Sequence, residues 1–332
     1  MICRDTINWA LVGCGRITTK FIVGLRAAGG CPAAVVSRSR EKAQYFASQY
    51  GIKKAYDNYD SMLEDKTIDA VYIGTPHTTH KDLTVRALKA HKAVLCEKPA
   101  AVNARELKEM LCAAGENNSF FMEAMWTRFT PPLQKVREWL SQNLIGEVKM
   151  VQANFGFNAN YDPKDRLFDP HLGGGALLDA GIYPLSLISM AFGGIKPVDI
   201  KSMLYFGETG VDEEDAVILS YGGSRIAYAA SAIRTDMEND AWIYGTDGRI
   251  HIPNFIWARN AGIYTNGKEN CKYEPEFVSN GYNYEAEAVM NYLRDGKRES
   301  PVMTWDESLI LMETMDLIRE QWNFRYPCEK NY

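Results

Sequence analysis

The chain has 332 residues, of which 46% are hydrophobic and 24% are charged, and its formal net charge is −5. That length predicts two domains, and the composition is that of an ordinary globular protein. A net negative charge without a basic stripe argues against nucleic-acid binding. Because no run approaches the roughly 18 apolar residues that span a membrane, we expect no membrane segment. Seven cysteines without CxxC spacing predict reduced thiols in a cytoplasmic protein.

The first strand is predicted over 7–12 and leads directly into the turn Gly13-Cys14-Gly15-Arg16-Ile17-Thr18. A glycine turn between a strand and an amphipathic helix is typical of the loop that places a helix N-terminus against a dinucleotide pyrophosphate. Thr18 stands where the fingerprint has its third glycine, so the motif is weak and depends on its context. We expect Gly13, Gly15, Arg16 and Ile17 to bind the cofactor.

The second predicted strand, 33–36, ends in Ser37-Arg38-Ser39-Arg40. Folds that bind NAD usually have Asp or Glu near this point to hold the ribose 2′-hydroxyl, whereas hydroxyl and guanidinium groups suit a 2′-phosphate. We therefore predict that Ser37 and Arg38 favour NADP, with NAD as the alternative cofactor. The competing interpretation is that Arg38 and Arg40 only open a solvated helix.

A further buried strand, 68–73, is followed by Gly74-Thr75-Pro76-His77-Thr78-Thr79-His80. Thr75 and His77 are then expected at the carboxyl edge of the sheet, where open α/β sheets bind ligands. His77 and His80 are three residues apart, which could suggest a metal. We expect none, because no third Cys, His or carboxylate ligand stands nearby in the sequence.

The segment Ala93-Val94-Leu95-Cys96-Glu97-Lys98-Pro99 predicts a fully buried central strand. Pro99 ends it because proline cannot donate to a sheet ladder, so Lys98 is expected at the same carboxyl edge. The alternative for Lys98 is an ordinary solvated lysine at a strand exit. Strands and helices alternate through this half, which predicts a doubly wound parallel sheet of the Rossmann type in a domain over 1–124.

From residue 146 the pattern changes to short strands. A period of two appears first in 151–159, and later segments predict strands at 216–221, 225–232, 241–245 and 249–252. We predict an α+β domain over 125–332 that is built on a largely antiparallel sheet. Near the C-terminus, Leu311, Met315, Ile318 and Trp322 form a helical stripe, which we assign to core packing.

One segment of this second half carries chemistry. Three glycines at 173–175 precede a helix in which Asp179 and Tyr183 are four residues apart and are expected to share a face. A phenol near a carboxylate suits proton transfer where a cofactor or substrate comes close, and a nearby lysine would lower the pKa of such a phenol. The alternative is a capping aspartate and a tyrosine that anchors the core.

With these blocks in place, the chain resembles the glucose–fructose oxidoreductase/inositol dehydrogenase family over essentially its whole length, and within it the branch of dihydrodiol and xylose dehydrogenases. The blocks that carry the resemblance are 93–99, Met122-Glu123-Ala124 with Trp126-Thr127-Arg128-Phe129, and 173–183. The resemblance implies an NADP-dependent oxidoreductase of a small sugar, polyol or diol. It also implies a cis bond before Pro99 and a homodimer through the exposed face of the second sheet.

By the same resemblance, Glu97 and Lys98 belong to the cofactor site, and Lys98 lies beside the reacting carbon. Tyr183 transfers the proton, and Asp179 orients substrate or catalytic groups. The substrate site is expected to contain Trp126, Arg128, Phe155, Phe157 and Trp257. Two alternatives stay open: a protein that senses NADP without catalysis, and a sugar–sugar oxidoreductase that never releases its cofactor. Lys98, Asp179 and Tyr183 together argue against a pure sensor, which needs no acid/base pair.

Overall fold

The computed structural model describes residues 6–329. By its internal contacts the chain divides into two units. The first consists of Met1–Ala101, Arg105–Phe129 and Phe277–Trp305, and the second of Val102–Ala104, Thr130–Glu276 and Asp306–Tyr332. The first unit therefore takes up a segment from the far end of the chain, which the order of the sequence motifs does not suggest.

The first unit is built on a six-stranded sheet in the order β3-β2-β1-β4-β5-β6, and all its pairings are parallel. The prediction of a Rossmann-type sheet is confirmed. Its strands are β1 Asn8–Val12, β2 Cys31–Val36, β3 Lys54–Tyr56, β4 Ala70–Ile73, β5 Ala93–Glu97 and β6 Phe121–Ala124. Its helices are α1 Arg16–Ala27, α2 Arg40–Tyr50, α3 Tyr59–Leu63, α4 His80–Lys89, α5 Ala104–Glu116 and, later in the chain, α8 Tyr282–Arg294.

The predicted cofactor residues lie at the carboxyl ends of four strands of this sheet, a region that we call the cofactor edge. Residues 37–38 follow β2, 13–17 follow β1, 75–77 follow β4, and 97–98 mark the end of β5. These four strands are neighbours in the sheet, so their carboxyl ends lie side by side. The strand order reverses between β1 and β4, and such a reversal is the point where doubly wound sheets bind ligands.

The missing third glycine of the fingerprint is compensated on a neighbouring strand. Thr18 is completely buried, at the position where glycine normally lets the helix approach the sheet. A Cβ atom on Gly74, just after β4, would lie 2.9 Å from Thr18 Oγ1 and 3.2 Å from Ile17 Cγ2. The close approach of helix and sheet therefore depends on Gly74 and not on position 18.

The second unit contains an eight-stranded sheet in the order β14-β13-β12-β11-β7-β10-β9-β8. All neighbouring strands are antiparallel except β7 and β10, which are parallel, so the predicted largely antiparallel sheet is confirmed. The strands are β7 Val148–Gly156, β8 Asp199–Phe206, β9 Asp212–Gly222, β10 Arg225–Ala232, β11 Ala241–Gly245, β12 Arg249–Ile252, β13 Ala261–Thr265 and β14 Lys268–Tyr273. The sequence pattern did not predict β8, β13 or β14. Much of β8 and β14 is solvent-exposed, and neither sequence, DIKSMLYF or KENCKY, alternates regularly between polar and apolar residues.

The remaining helices of the second unit are α6 Pro131–Ser141, α7 Ile182–Ala191 and α9 Trp305–Gln321. In α9 and just after it, the predicted stripe is buried at Leu311, Met315, Ile318 and Trp322, which confirms its role in the core. Among residues 6–329, one helical stretch, Pro170–Ala191, is long and apolar enough to cross a membrane. The sequence reading found no such run. The apolar window of this stretch is entirely buried in the fold, as in the core helix of a globular protein.

Candidate active site

The glycine turn after β1 presents a helix start that no side chain caps. Gly15 is the N-cap of α1, has extended backbone angles and makes no side-chain cap hydrogen bond. Gly13 has a φ of +96°, and a Cβ atom there would lie 2.7 Å from the carbonyl oxygen of Gly74. The turn thus needs glycine at position 13, and it exposes the N-terminus of α1, where backbone N–H groups favour a phosphate.

The end of β2 places hydroxyl and cationic groups beside this turn. Ser37 forms a side-chain hydrogen bond with Cys14, while burial raises the pKa of the Cys14 thiol. Lys42 is close enough to the thiol to oppose that rise. Arg38 is exposed, whereas Arg40 pairs with Asp57 at 3.6 Å. Lys42 is a further cation at this corner. The sequence did not indicate it, because its closeness to Cys14 depends on where the first turn of α2 lies.

The turn after β5 is held at successive residues by side chains. The Lys98–Pro99 bond is cis, as the family resemblance implied. The backbone N–H of Lys98 donates to Glu97 Oε2 at 3.3 Å, and that of Ala100 donates to Glu123 Oε1 at 2.8 Å. The carbonyl oxygen of Pro99 lies 2.9 Å from Nδ1 of His80. This turn fixes the direction of the chain at Lys98, whose side chain is half-buried.

Glu97 belongs to a cluster of buried acids behind the cofactor edge. The Tyr72 hydroxyl donates to Glu97 Oε1 at 2.6 Å. Glu285 on α8 is completely buried, and within the described residues neither of its carboxyl oxygens has a hydrogen-bond partner. Burial and the nearby Glu97 raise the pKa of Glu285 well above its ordinary value. Burial and the same carboxylate also raise the pKa of Tyr72 and of Tyr282.

Two of the predicted substrate residues are buried in the first unit. Trp126 is 3% exposed and stacks on Tyr282, with ring centroids 4.8 Å apart. A Cβ atom on Gly281 would lie 2.8 Å from the Trp126 ring, so glycine there makes room for the indole. Arg128 is also buried, and its Nη1 donates to the carbonyl of Val302 at 3.4 Å. Both side chains thus pack against the segment that returns to this unit from the end of the chain.

The second unit brings the other predicted site residues together. The Tyr183 ring packs edge-on against Phe155, with centroids 5.6 Å apart. Phe155 makes contacts of the same length with Phe157 and with Trp257. Trp257 is 45% exposed, whereas Tyr183 is 7% exposed. This group of four rings, the aromatic cluster, places the candidate phenol in an apolar setting of the kind that binds a small organic ligand.

Asp179 is paired with a cation that the sequence did not indicate. Arg166 Nη1 donates to Asp179 Oδ1 at 2.8 Å, and the carboxylate is buried while the guanidinium is half-exposed. Residues Leu177–Gly181 form a π-helical turn ahead of α7. The expected α-helical face shared by Asp179 and Tyr183 is therefore modified, because a π turn closes its hydrogen bonds over five residues. No local signal links Arg166 to Asp179, since the pair is formed by an irregular loop.

Asp212 anchors the start of this helical segment. Asp212 is buried, and its Oδ2 accepts a hydrogen bond from the backbone N–H of Leu177 at 2.6 Å. Burial raises the pKa of Asp212 to about 7, although the amides of Leu177 and Ala176 and the charge of Arg319 oppose the rise. Burial and the neighbouring Asp212 also raise the pKa of Asp215, to which the Ser231 hydroxyl donates.

Among residues 6–329, no group of three or more His, Cys, Asp or Glu side chains is arranged to hold a metal ion. The His77 and His80 rings lie edge to face with centroids 5.8 Å apart. Both ring nitrogens of His80 face backbone carbonyl oxygens. His80 is therefore engaged within the fold.

The parallel sheet, the glycine turn and the uncapped start of α1 define a dinucleotide-binding protein of the Rossmann class. A family model described as an oxidoreductase family with an NAD-binding Rossmann fold matches residues 7–125, and a GFO/IDH/MocA C-terminal domain model matches 133–251. The chain belongs to the GFO/IDH/MocA family of oxidoreductases, whose members depend on NAD(P). The resemblance stated from the sequence is confirmed.

The relatives extend over the whole chain. A trans-1,2-dihydrobenzene-1,2-diol dehydrogenase from Xenopus laevis is 40% identical over 331 residues, which cover 96% of this chain and 99% of that protein. A 3-ketoreductase from Actinomadura kijaniata, solved with NADP and TDP-benzene, is 22% identical with a TM-score of 0.82 and covers 95% of this chain and 98% of its own. A levoglucosan dehydrogenase, solved with NADH and levoglucosan, is 18% identical with a TM-score of 0.85 and covers 97% and 100%. The two solved structures share the fold.

Replacing Asp212 by Asn is expected to change the pH dependence of stability. Because the pKa of Asp212 is raised to about 7 in the fold, the folded chain holds a proton that the unfolded chain releases above roughly pH 4. The contribution of Asp212 to the free energy of unfolding therefore falls as the pH rises from about 4 to about 7. The variant Asp212→Asn keeps an oxygen acceptor for Leu177 and loses this dependence, which makes it more stable than the parent at pH 8 by about 1–3 kcal/mol.

The measurement is thermal or urea unfolding at pH 5, 6.5 and 8. The control is Asp295→Asn, which removes a negative charge from an exposed carboxylate and should leave the pH profile unchanged. An advantage of the Asp212 variant that does not grow with pH would contradict the expectation.

Proposed function

We propose that this chain is an NADP-dependent dehydrogenase that oxidises a carbinol carbon of a sugar, a cyclic polyol or a trans-dihydrodiol, and that reduces the matching carbonyl in reverse. The observation that carries the proposal is the row of cofactor residues along β2, β1, β4 and β5 that ends at Lys98. The end-to-end similarity to a named diol dehydrogenase supports the substrate class.

In this proposal the glycine turn and the carboxyl ends of β2, β4 and β5 would hold the nicotinamide cofactor, which would supply the hydride acceptor for the carbinol carbon. Tyr183 accepts the hydroxyl proton, so the C–H and O–H bonds break and a carbonyl forms. By the family resemblance, Lys98 is assigned the positive charge that would stabilise the developing oxyanion and the phenolate, since a nearby cation is the usual way a tyrosine is made useful as a base. Asp179, held by Arg166, orients substrate or catalytic groups. The aromatic cluster excludes water from the reacting carbon.

The same arrangement argues against an NADP sensor without catalysis. A sensor needs the glycine turn and the phosphate cations, but it gains nothing from a half-buried lysine at the end of β5 or from a phenol buried in an apolar cluster. Burying an ionisable group costs free energy unless the group is paired or hydrogen-bonded, and buried groups with perturbed pKa values concentrate at catalytic sites. We therefore favour a dehydrogenase over a sensor that binds NADP without catalysis.

The roles of the two residues are separable in one experiment. Reduction of NADP⁺ and NAD⁺ is first screened against xylose, glucose, inositols and a trans-dihydrodiol to find the substrate. Tyr183→Phe and Lys98→Met are then each expected to lower kcat by about 10²–10⁴-fold, the usual contribution of positioned proton transfer. The Kd for NADPH should stay within a few-fold in Tyr183→Phe.

The matched controls are Tyr161→Phe, an exposed tyrosine of the second unit, and Lys89→Met, an exposed lysine at the end of α4. Both should retain the parent kcat. Full turnover in both Tyr183→Phe and Lys98→Met would rule out the assigned roles.

The preference for NADP rests on the corner formed by Ser37, Arg38 and Lys42. This corner offers a hydroxyl and two cations next to the glycine turn, a set that matches a 2′-phosphate better than a free 2′-hydroxyl. The nearest carboxylate in the sequence, Glu41, lies in the first turn of α2. Arg40 is paired with Asp57, so Arg38 is the arginine we assign to the phosphate.

Arg38→Ala is expected to weaken NADPH binding by roughly 10- to 100-fold, the equivalent of one charge-assisted contact of about 1.5–3 kcal/mol. NADH binding should not change, because NADH has no 2′-phosphate. Cofactor fluorescence titration measures both Kd values, with Arg40→Ala as the control that leaves both near the parent values. Equal weakening of the two cofactors by Arg38→Ala would contradict the assignment.

The proposed assembly is a homodimer through the exposed face of the second sheet. Across β7, β8, β9 and β10 one face buries residues such as Val217, Leu219 and Ala227, while the other face exposes apolar side chains. These are Met150, Met203, Tyr205, Ile218, Ile226 and Tyr228. A sheet face left to water would carry polar residues instead, and a contiguous apolar patch of this kind is typical of a protein interface.

Ile218→Glu is expected to dissociate the dimer, because two-fold symmetry introduces the buried charge twice. Sedimentation velocity at micromolar concentration gives the mass of the particle. Val278→Glu, which adds the same charge at a 75% exposed position outside this sheet, should leave the mass unchanged. A parent chain that sediments as a monomer would refute the proposed assembly.

A further inference from the structure

His80 is a completely buried histidine that connects two loops of the cofactor edge. It is the first residue of α4, just beyond the end of β4. Its Nδ1 lies 2.9 Å from the carbonyl oxygen of Pro99, and its Nε2 lies 2.8 Å from the carbonyl oxygen of Thr75. Thr75 follows β4, and Pro99 follows Lys98 at the end of β5.

These two contacts require two donors on the ring. A carbonyl oxygen only accepts hydrogen bonds, and a neutral imidazole has one N–H donor and one bare nitrogen. A neutral His80 would therefore hold one lone pair against a carbonyl oxygen at hydrogen-bond distance, buried where no water can relieve the repulsion. The imidazolium form has two N–H groups and satisfies both carbonyls with charge-assisted bonds.

A lysine of the same unit makes a comparable pair of contacts. Lys92 is buried, and its Nζ donates to the carbonyl oxygens of Asp65 and Ile68 at 2.8 and 2.9 Å. The lengths match those at His80. A buried basic side chain between two backbone carbonyls therefore occurs a second time in this unit.

Two carboxyl groups hold the turn whose Pro99 carbonyl oxygen faces His80. Glu97 accepts from the N–H of Lys98, and Glu123 accepts from the N–H of Ala100, so carboxylates bind the turn on either side of Pro99. The helix α4 packs against β4 and β5. Besides Lys81, Asp82, Arg86 and Lys89 of α4 itself, the titratable groups on β4, β5 and adjoining segments include His77, Tyr59, Tyr72, Cys96, Glu97, Lys98 and Glu123.

We propose that His80 is held as an imidazolium and acts as a positioning residue, fastening the Lys98–Pro99 turn to the Thr75 loop. This inference deepens the proposed function, on which its reference to Lys98 rests. His80 touches no reacting atom. It fixes the backbone from which Lys98 projects and the loop in which Thr75 and His77 are expected to meet the cofactor.

The protonation state is tested directly by NMR of the intact protein labelled with ¹⁵N-histidine. The chain has five histidines, and single substitutions of the other four assign the His80 ring by elimination, even where His80 variants fail to fold. We expect both ring nitrogens of His80 to carry hydrogen at pH 7.5. One protonated and one bare nitrogen at pH 7.5 would overturn the proposal, and this result is independent of any enzymatic activity.

The positioning role is tested by two substitutions that each keep one donor. The amide nitrogen of Asn can replace Nδ1, and that of Gln can replace Nε2. His80→Asn keeps the bond to Pro99 and should raise the Kd for NADPH by about tenfold with kcat within a few-fold of the parent. His80→Gln keeps the bond to Thr75 and should lower kcat by about tenfold, with a smaller effect on the Kd.

His91→Gln is the matched control, since His91 is exposed at the end of α4. A purely structural histidine would shift kcat and Kd together with thermal stability in both variants, and that pattern would overturn the positioning role. If no substrate is turned over, the proposed function fails by itself. The NMR result and the Kd of His80→Asn still decide whether the imidazolium holds the Thr75 loop.

Discussion

The cofactor edge depends on how the fold satisfies the backbone at the end of a buried strand. β5 is completely enclosed, and the chain must leave it through a turn whose peptide groups have no water to bond. Side chains from three different elements supply the hydrogen-bond partners instead. Glu97 and Glu123 accept from the amides of Lys98 and Ala100, and His80 faces the carbonyl of Pro99. A lysine placed by this many fixed contacts is preorganised, which is what an electrostatic catalytic group requires.

The close packing of helices on the parallel sheet follows from small residues at a few points of contact. Gly74 gives Thr18 the room that a third glycine would provide in the fingerprint. Gly24 does the same between α1 and α8, because a Cβ atom there would lie 2.6 Å from the backbone nitrogen of Asn283. Since α8 carries Glu285, this contact also brings the buried acid behind the cofactor edge. Burial and the neighbouring Glu97 raise the pKa of Glu285 well above its ordinary value, which is the effect that a low-dielectric cluster of carboxyl groups has.

The two roles proposed for the second unit use opposite faces of one sheet. The inner face carries the buried side chains against which the helical segment of Asp179 and Tyr183 packs, and Asp212 from β9 caps that segment. The outer face is exposed and apolar. The π-helical turn at Leu177–Gly181 lies between the cap and the tyrosine, and such turns occur often at functional sites. The chemistry and the proposed assembly therefore use different residues, so each can be changed without altering the other.

The sequence by itself determined the parallel sheet, the largely antiparallel character and five strands of the second sheet, and the strand end at Lys98, because period-two and continuous apolar patterns report burial along one segment. The family resemblance gave the cis bond at Pro99 as well. Tertiary structure alone decided which distant groups meet. Four contacts have no local signal in the sequence. They join Arg166 with Asp179, Asp212 with the start of the helical segment, Glu285 with Glu97, and His80 with two loops. The room that Gly74 gives to Thr18, where the fingerprint has a third glycine, is another contact that no local pattern indicates. Such partners are chosen by the packing of separate elements, and the pattern of a single segment carries no information about its neighbour in space.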